Sequence, residues 1–253
     1  MADGAAFVKE PRILVRPLQK AAEMCTGAEL QRRVWAYSEI ESAPEQKFIV
    51  AKESGGQILG ASHESQAIGF DSALVGVHRG KVYLDAHMVG VVPGYQGWGT
   101  GRIQKLAQQD DAVERGIDLI RWTLDPRQLK NADSNLARLR AFVRRCISNV
   151  YGRTSSLLHA GLTTHRLIAE WWIRSAQVRD LLSGGTDTPG PDGARISIPA
   201  AIGQICSSDS SERENIQSRV QEQFDKYVAD GRTAVGFKFD EQQDSCVAEL
   251  YED

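Results

Sequence analysis

The chain has 253 residues, 42% hydrophobic and 25% charged, with 33 acidic side chains against 30 basic ones and a net charge of −3. This is ordinary globular composition, and it excludes the broad basic excess that nucleic acid or an anionic membrane surface rewards. No apolar run reaches the roughly 18 residues of a membrane span, and Met1-Ala2-Asp3-Gly4 opens no basic and apolar leader, so a soluble, cytoplasmic protein is expected.

Residues 12–18 form a β-like run, and 19–40 read as helix apart from Gly27. Residues 47–52 and 57–63 flank Gly55-Gly56 and predict two strands of a hairpin. A long apolar strand over 81–92 ends at Pro93-Gly94. Helix follows over 101–115, with Ile103, Leu106, Ala107 and Val113 spaced to share one face and Gly116 placed to cap it. Residues 117–124 read as strand closed by Asp125-Pro126, 131–141 as helix and 142–151 as strand. Leu167, Trp171, Val178 and Leu182 predict a helix over 164–182. A Gly/Pro-rich stretch covers 183–193. Ser211 and Glu214 form a capping-box pattern ahead of Ile216, Val220, Phe224 and Tyr227, and short strands over 234–239 and 246–251 complete a mixed α/β chain. The organisation this suggests is a main domain over 1–182, with 152–182 inserted on the substrate side. A linker follows over 183–200, then a helix and two strands over 201–253, packed on the core.

Charge is unevenly spread. Residues 127–153 hold seven basic side chains against Asp133 alone, whereas from Asp209 onward twelve acidic residues face five basic ones. Cys25, Cys146, Cys206 and Cys246 are too scattered for a zinc site or a small disulfide framework.

The segment with most chemical content is Gln96-Gly97-Trp98-Gly99-Thr100-Gly101-Arg102, between an apolar strand and a helix. Glycines admit positive φ and let backbone approach a ligand, and the N–H groups opening a helix favour an anion such as a pyrophosphate. A tight turn with no ligand fits the same glycines. A nucleotide P-loop would need Gly-Lys-Ser/Thr here, and a dinucleotide fingerprint would need G-x-G-x-x-G in the first βαβ unit; neither is present.

Gln96-x-x-Gly99-x-Gly101, preceded by Val91-x-Pro93-x-Tyr95, resembles the acyl-CoA motif of the GNAT superfamily of N-acyltransferases. The similarity runs through 12–151 in element order. One branch of that superfamily is especially similar in His87-Met88-Val89-Gly90-Val91, Ile117–Thr123, Asp125-Pro126, Asn131 with Asn135–Leu139, and Gly161-Leu162 leading to Leu167–Trp171. The resemblance implies a central, mostly antiparallel mixed sheet with splayed strands 4 and 5, flanked by helices. It implies pyrophosphate on the backbone of Gln96 to Arg102 and pantetheine along Met88 to Val91. It also implies an amide of Val89 or Gly90 polarising the thioester, and Asn131 and Asn135 toward the cofactor, although both asparagines also suit helix capping.

Acetyl-CoA or another acyl-CoA, succinyl-CoA included, is the implied donor. A small amine or amino acid is the expected acceptor, since residues 152–182 look able to close over a compact substrate, in a metal-free reaction without a covalent intermediate; a homodimer is an expectation only. A non-catalytic acyl-CoA sensor is the alternative.

His87, beside Asp85 on one strand face, is the leading general base, with a hydrogen-bonded histidine inside the sheet as the other reading. Glu64, His63 and His159 are weaker candidates. Trp98 replaces the usual cation of the loop, Gly94 stands where an acid is frequent, and residues 135–140 lack the tyrosine that relatives use as general acid. Arg102, Arg144, Arg145 or Arg153 could meet phosphate or carboxylate, Trp171-Trp172 could wall an acceptor pocket, and Cys146 has no neighbouring base.

Overall fold

The computed structural model describes residues 13–125, 138–152, 164–184, 194–199, 210–240 and 245–252. In chain order the elements are β1 (Ile13–Pro17), α1 (Ala21–Trp35), α2 (Glu45–Glu53), β2 (Gln57–His63), β3 (Gln66–His78), β4 (Lys81–Val91), a 3-10 turn (Pro93–Tyr95), α3 (Thr100–Glu114), β5 (Leu119–Leu124), β6 (Phe142–Ile147), β7 (Arg166–Trp172), α4 (Ala176–Leu182), β8 (Ala194–Pro199), α5 (Ser210–Ala229), β9 (Arg232–Asp240) and β10 (Ser245–Glu252). They fall into two compact units, one of residues up to Leu74 with Met88–Asp111, the other of Val75–His87 with Ala112 onward.

In the first unit the strand order is β1-β2-β3-β4, with β1–β2 and β2–β3 antiparallel. Met24 and Leu30 of α1 and Phe48 of α2 are buried with Ile58, Ile68, Phe70 and Val92 in one apolar cluster. The entry to α1 is fixed by Glu23. Its carboxylate accepts from the Gln19 and Lys20 amides at 2.8 and 2.9 Å and from Arg16 at 2.6 Å. The Arg16 bond, and then the two amides, hold its pKa down at about 2.

The other face of this unit is polar. Thr100, Gln104, Lys105, Gln108 and Gln109 are the buried residues of α3's first three turns. Ile103, by contrast, is 37% exposed, so the apolar face expected of this helix is not the face it buries. Lys105 Nζ donates to Gln108 Oε1 at 2.9 Å, and Gln108 Nε2 donates to Asp71 Oδ1 of β3 at 3.0 Å. Gln57 Nε2 donates to Asp111 at 2.7 Å and to the Gln108 carbonyl at 3.2 Å. Burial pushes the Asp71 carboxyl up to about 7, against lowering by Lys105 and the Gln108 bond, and burial lowers Lys105. Gly69 lets this seat close, because a Cβ there would lie 2.6 Å from the Gly90 carbonyl oxygen and 3.2 Å from Gln104 Oε1.

In the second unit the order is β3-β4-β5-β7-β6-β9-β10-β8. β4 and β5 pair in parallel at Leu84↔Ile120 and Asp85↔Arg121, while the β5–β7, β6–β7, β6–β9, β9–β10 and β8–β10 ladders are antiparallel. The mixed, mostly antiparallel sheet with flanking helices is thus the architecture found. Trp122 and Trp171 meet edge to face at 6.3 Å, and a buried ion pair joins Arg166 to Asp125 at 3.3 Å.

Three expectations are corrected. Residues 47–52 lie in α2, not in a hairpin strand: Pro44 occupies the N-cap and Glu45 the first turn, so Phe48 and Ala51 turn inward while Val50 is 62% exposed. Residues 164–182 are not one helix. The run Arg166–Trp172 is buried on both faces as β7, where four-residue spacing carries no information, and α4 starts only where Ser175 accepts from the Val178 amide at 3.3 Å. Residues 194–199, read with the linker, form β8 against β10.

Candidate functional site

The glycine segment leaves β4 through the 3-10 turn and opens α3. Gly97 and Gly99 have φ of +85° and +79°, a region that side chains with a Cβ rarely adopt. A Cβ at Gly94, Gly97, Gly99 or Gly101 would meet nothing within 4 Å, so the glycines serve backbone conformation and an open surface, not packing. The Gln96 side chain donates to the Val91 carbonyl at 3.0 Å and Thr100 Oγ1 to the Tyr95 carbonyl at 3.2 Å. The first ties the loop to the end of β4 and the second to the 3-10 turn, while the Ile103 amide closes the first helical turn on the Gly99 carbonyl at 3.1 Å. Gln96, Gly97, Trp98, Gly99 and Arg102 are exposed. The result is an exposed glycine backbone at the positive end of a helix, a surface whose chemistry suits a phosphate group.

Trp98 does not point freely into solvent. Its ring lies 4.9 Å from Tyr95 and 5.7 Å from His63, at 62° and 83°, and His63 and Tyr95 are 5.6 Å apart. Tyr95 Oη donates to Gln66 Oε1 at 3.4 Å. His63, read as a loop histidine, ends β2 at a turn where Glu64 and Ser65 both take positive φ.

On β4, Met88 packs against the apolar cluster, and Val89 and Val91 are half-buried. A Cβ at Gly90 would lie 3.0 Å from Phe70 and 3.3 Å from Trp35. Trp35 in turn stacks on Tyr37 at 5.4 Å. This aromatic pair straddles the end of α1, and its only sequence signal is Trp-x-Tyr at the close of a helix.

In the second unit His87 is exposed on β4 and shares strand parity with Tyr83 and Asp85. Asp85 is engaged by Arg121, whose guanidinium stands 3.6 Å from the carboxylate, donates to Tyr83 Oη at 2.7 Å and lies 4.3 Å over the Tyr83 ring.

No protein-family model and no curated protein sequence matches this chain. Solved structures match it in shape. The ribosomal-protein-S18-alanine N-acetyltransferase of Escherichia coli has a TM-score of 0.50 at 16% identity, covering 65% of this chain and 96% of its own. A protein of Desulfovibrio desulfuricans assigned to the GNAT family gives 0.51 at 13% identity, covering 64% and 99%. The chain has the GNAT fold. A third GNAT-fold match, yncA of Salmonella typhimurium, solved with its cofactor acetyl-CoA, gives 0.51 at 15% identity over 65% and 96%.

Within this GNAT fold the remaining candidates separate. Arg144 stands 3.5 Å from Glu170 and over the Phe142 ring at 4.4 Å, and Arg145 is exposed. Trp171 is 1% exposed. On a strand its neighbour Trp172 faces the opposite way, its Nε1 donating to Glu170 at 3.1 Å, so the two do not wall one pocket. Asn131, Asn135, Arg153 and His159 lie outside the described residues. The Cys146 thiol donates to Gln221 Oε1 at 3.2 Å, and burial, helped by Asp225, pushes its pKa up to about 12. The thiolate is the reactive form, so iodoacetamide at pH 8 should label exposed Cys25 and leave Cys146 unmodified until denaturant is added. Peptide mapping of the alkylated protein reads this directly.

Proposed function

We propose that this protein is an acyl-CoA-dependent N-acyltransferase that moves an acetyl or succinyl group directly to a small amine or amino acid. The observation that carries this reading is the loop at 96–102: two glycines held at positive φ, open space where their side chains would be, and the opening turn of α3 behind them. That surface fits a pyrophosphate. The GNAT fold adds support, since the solved structures of this shape include an N-acetyltransferase and one with acetyl-CoA.

When bound, acyl-CoA supplies the activated thioester. The backbone of Gln96, Gly97, Trp98, Gly99, Thr100, Gly101 and Arg102 holds the diphosphate, and the main chain of Met88 and Val91 aligns the pantetheine arm. The Val89 or Gly90 amide donates to the carbonyl as negative charge develops on it, an effect commonly worth about 3 kcal/mol. His87, exposed on the same strand, accepts the proton from the attacking amine. Asp85, two residues earlier, shares that strand face and is held in place by Arg121, itself bonded to Tyr83. A non-catalytic acyl-CoA sensor is the second reading, favoured by the absence of tyrosine from residues 135–140.

The test is thiol release from acetyl-CoA and succinyl-CoA against a panel of amines and D- and L-amino acids. One donor and acceptor pair should give acceptor-dependent turnover. His87→Ala should lower kcat about a hundredfold while CoA affinity, measured by calorimetry, stays within twofold. Tight CoA binding with no turnover across the panel would favour the sensor, and no CoA binding would refute both.

A further inference from the structure

Trp98 stands where a phosphate-binding loop would be served by a cation, and the structure gives it an arrangement of its own. It hangs between Gly97 and Gly99, the two positive-φ glycines whose missing side chains leave open space on either side. The residue is 45% exposed, yet its ring is braced by Tyr95 at 4.9 Å and His63 at 5.7 Å, both edge to face. These neighbours are anchored in turn, Tyr95 by its hydroxyl to Gln66 and by its carbonyl, which accepts from Thr100. A large aromatic surface left open to water but already fixed in orientation has surrendered its rotamer freedom before any ligand arrives, so a flat ring can stack on it with little further ordering.

We propose that the His63–Tyr95–Trp98 cluster is a stacking platform for a nucleobase, namely the adenine ring of the coenzyme whose diphosphate rests on the loop. This rests on the function proposed above. The ligand class follows from two adjacent features: an open glycine backbone at the start of α3, suited to a phosphate group, and within it a braced π-face. Stacking does the binding work of the missing charge: it is neutral and insensitive to which base is present, since every base has a π-face. Arg102, exposed in the first turn of α3, remains the nearest cation along the loop.

The test compares two ligands, CoA and 4′-phosphopantetheine, which lacks the 3′-phospho-AMP half and with it the adenine, by calorimetry with four proteins: wild type, Trp98→Ala, Trp98→Leu and Trp98→Phe. Platform behaviour predicts that Trp98→Ala weakens CoA roughly ten- to a hundredfold and leaves phosphopantetheine within twofold. Trp98→Leu, apolar but without a π-face, should behave like alanine, and Trp98→Phe should recover most of the affinity. Equal losses for both ligands would overturn the proposal, because the indole would then merely hold the loop, and so would no loss for either. If wild type binds phosphopantetheine and CoA with the same affinity, the adenine makes no contact of value and the platform is refuted while the acyl-carrier reading survives. If wild type binds neither, both fall.

Discussion

Replacing Gly97 and Gly99 together with alanine is expected to weaken CoA binding by about thirtyfold or more. The left-handed region costs a residue with a Cβ roughly 1–2 kcal/mol, and both positions sit in it, at φ +85° and +79°. Sterics do not enter, because an added methyl group at either site meets nothing within 4 Å; the effect is purely conformational. An exposed loop relieves such strain by changing shape, and its amides then take other directions. Calorimetry should therefore record the loss, with the urea midpoint nearly unmoved. A rigid loop would instead keep its affinity and lose stability. Asparagine tolerates the left-handed region better than other side-chain-bearing residues, so Gly99→Asn should retain more affinity than Gly99→Ala. If neither affinity nor stability moves in the double variant, the positive φ values have no bearing on this loop.

Lys105→Met is expected to cost about 3–5 kcal/mol of folding stability at pH 8, and distinctly less at pH 5. The reason lies in its partner. Asp71 is buried and its carboxyl sits at about 7 in the folded chain, raised by burial and lowered only in part by Lys105 and Gln108, whereas an unfolded aspartate titrates near 3.9. Between about pH 4 and 7 the folded state therefore holds more protons than the unfolded one. The stability linked to this group is complete below about pH 4 and is lost as pH rises through about 7. Without Lys105 one of the influences lowering the carboxyl disappears, so its titration moves up further. At pH 5 the acid stays neutral and tolerates the missing ammonium, and at pH 8 it must either ionise alone or take a proton from scarce supply. Urea unfolding at the two pH values measures the difference. Equal losses at both would show that Asp71 does not respond to Lys105, and Asp71→Asn combined with Lys105→Met should remove the dependence altogether.

Local rules made the strands with clear punctuation legible. β4 ends at Val91, just ahead of Pro93, α3 ends against Gly116 with φ of +72°, and the last two strands match within two residues at each end. The glycine segment was legible as a strand-to-helix loop for the same reason, and Gly97 and Gly99 take the positive φ that glycine admits. What stayed hidden depends on tertiary context. The Phe48-Ile49-Val50 run has β-forming residues, yet Pro44 and Glu45 start a helix there. β7 is buried on both faces, so its pattern has no alternation to betray a strand. α3 presents glutamines and a lysine inward, against every expectation of an amphipathic helix, because β3 offers it Asp71 instead of an apolar wall. The aromatic bracing of Trp98 could not be foreseen, because His63 and Trp98 are thirty-five positions apart and meet only through the pairing of β2, β3 and β4.

The polar seat beneath α3 bears on how this protein can change over generations. Apolar cores accept many volume-conserving exchanges, so Met24, Leu30 or Ile58 can drift. The positions of Gln57, Asp71, Lys105 and Gln108 have no such freedom: each hydrogen bond names its partner, and the helix cannot rotate or slip by one residue without orphaning several at once. A helix locked in this way aims its first amides at a fixed point. The loop ahead of it is then at liberty to exchange a cation for an indole without losing its bearing, so innovation at the ligand is bought by rigidity two turns away.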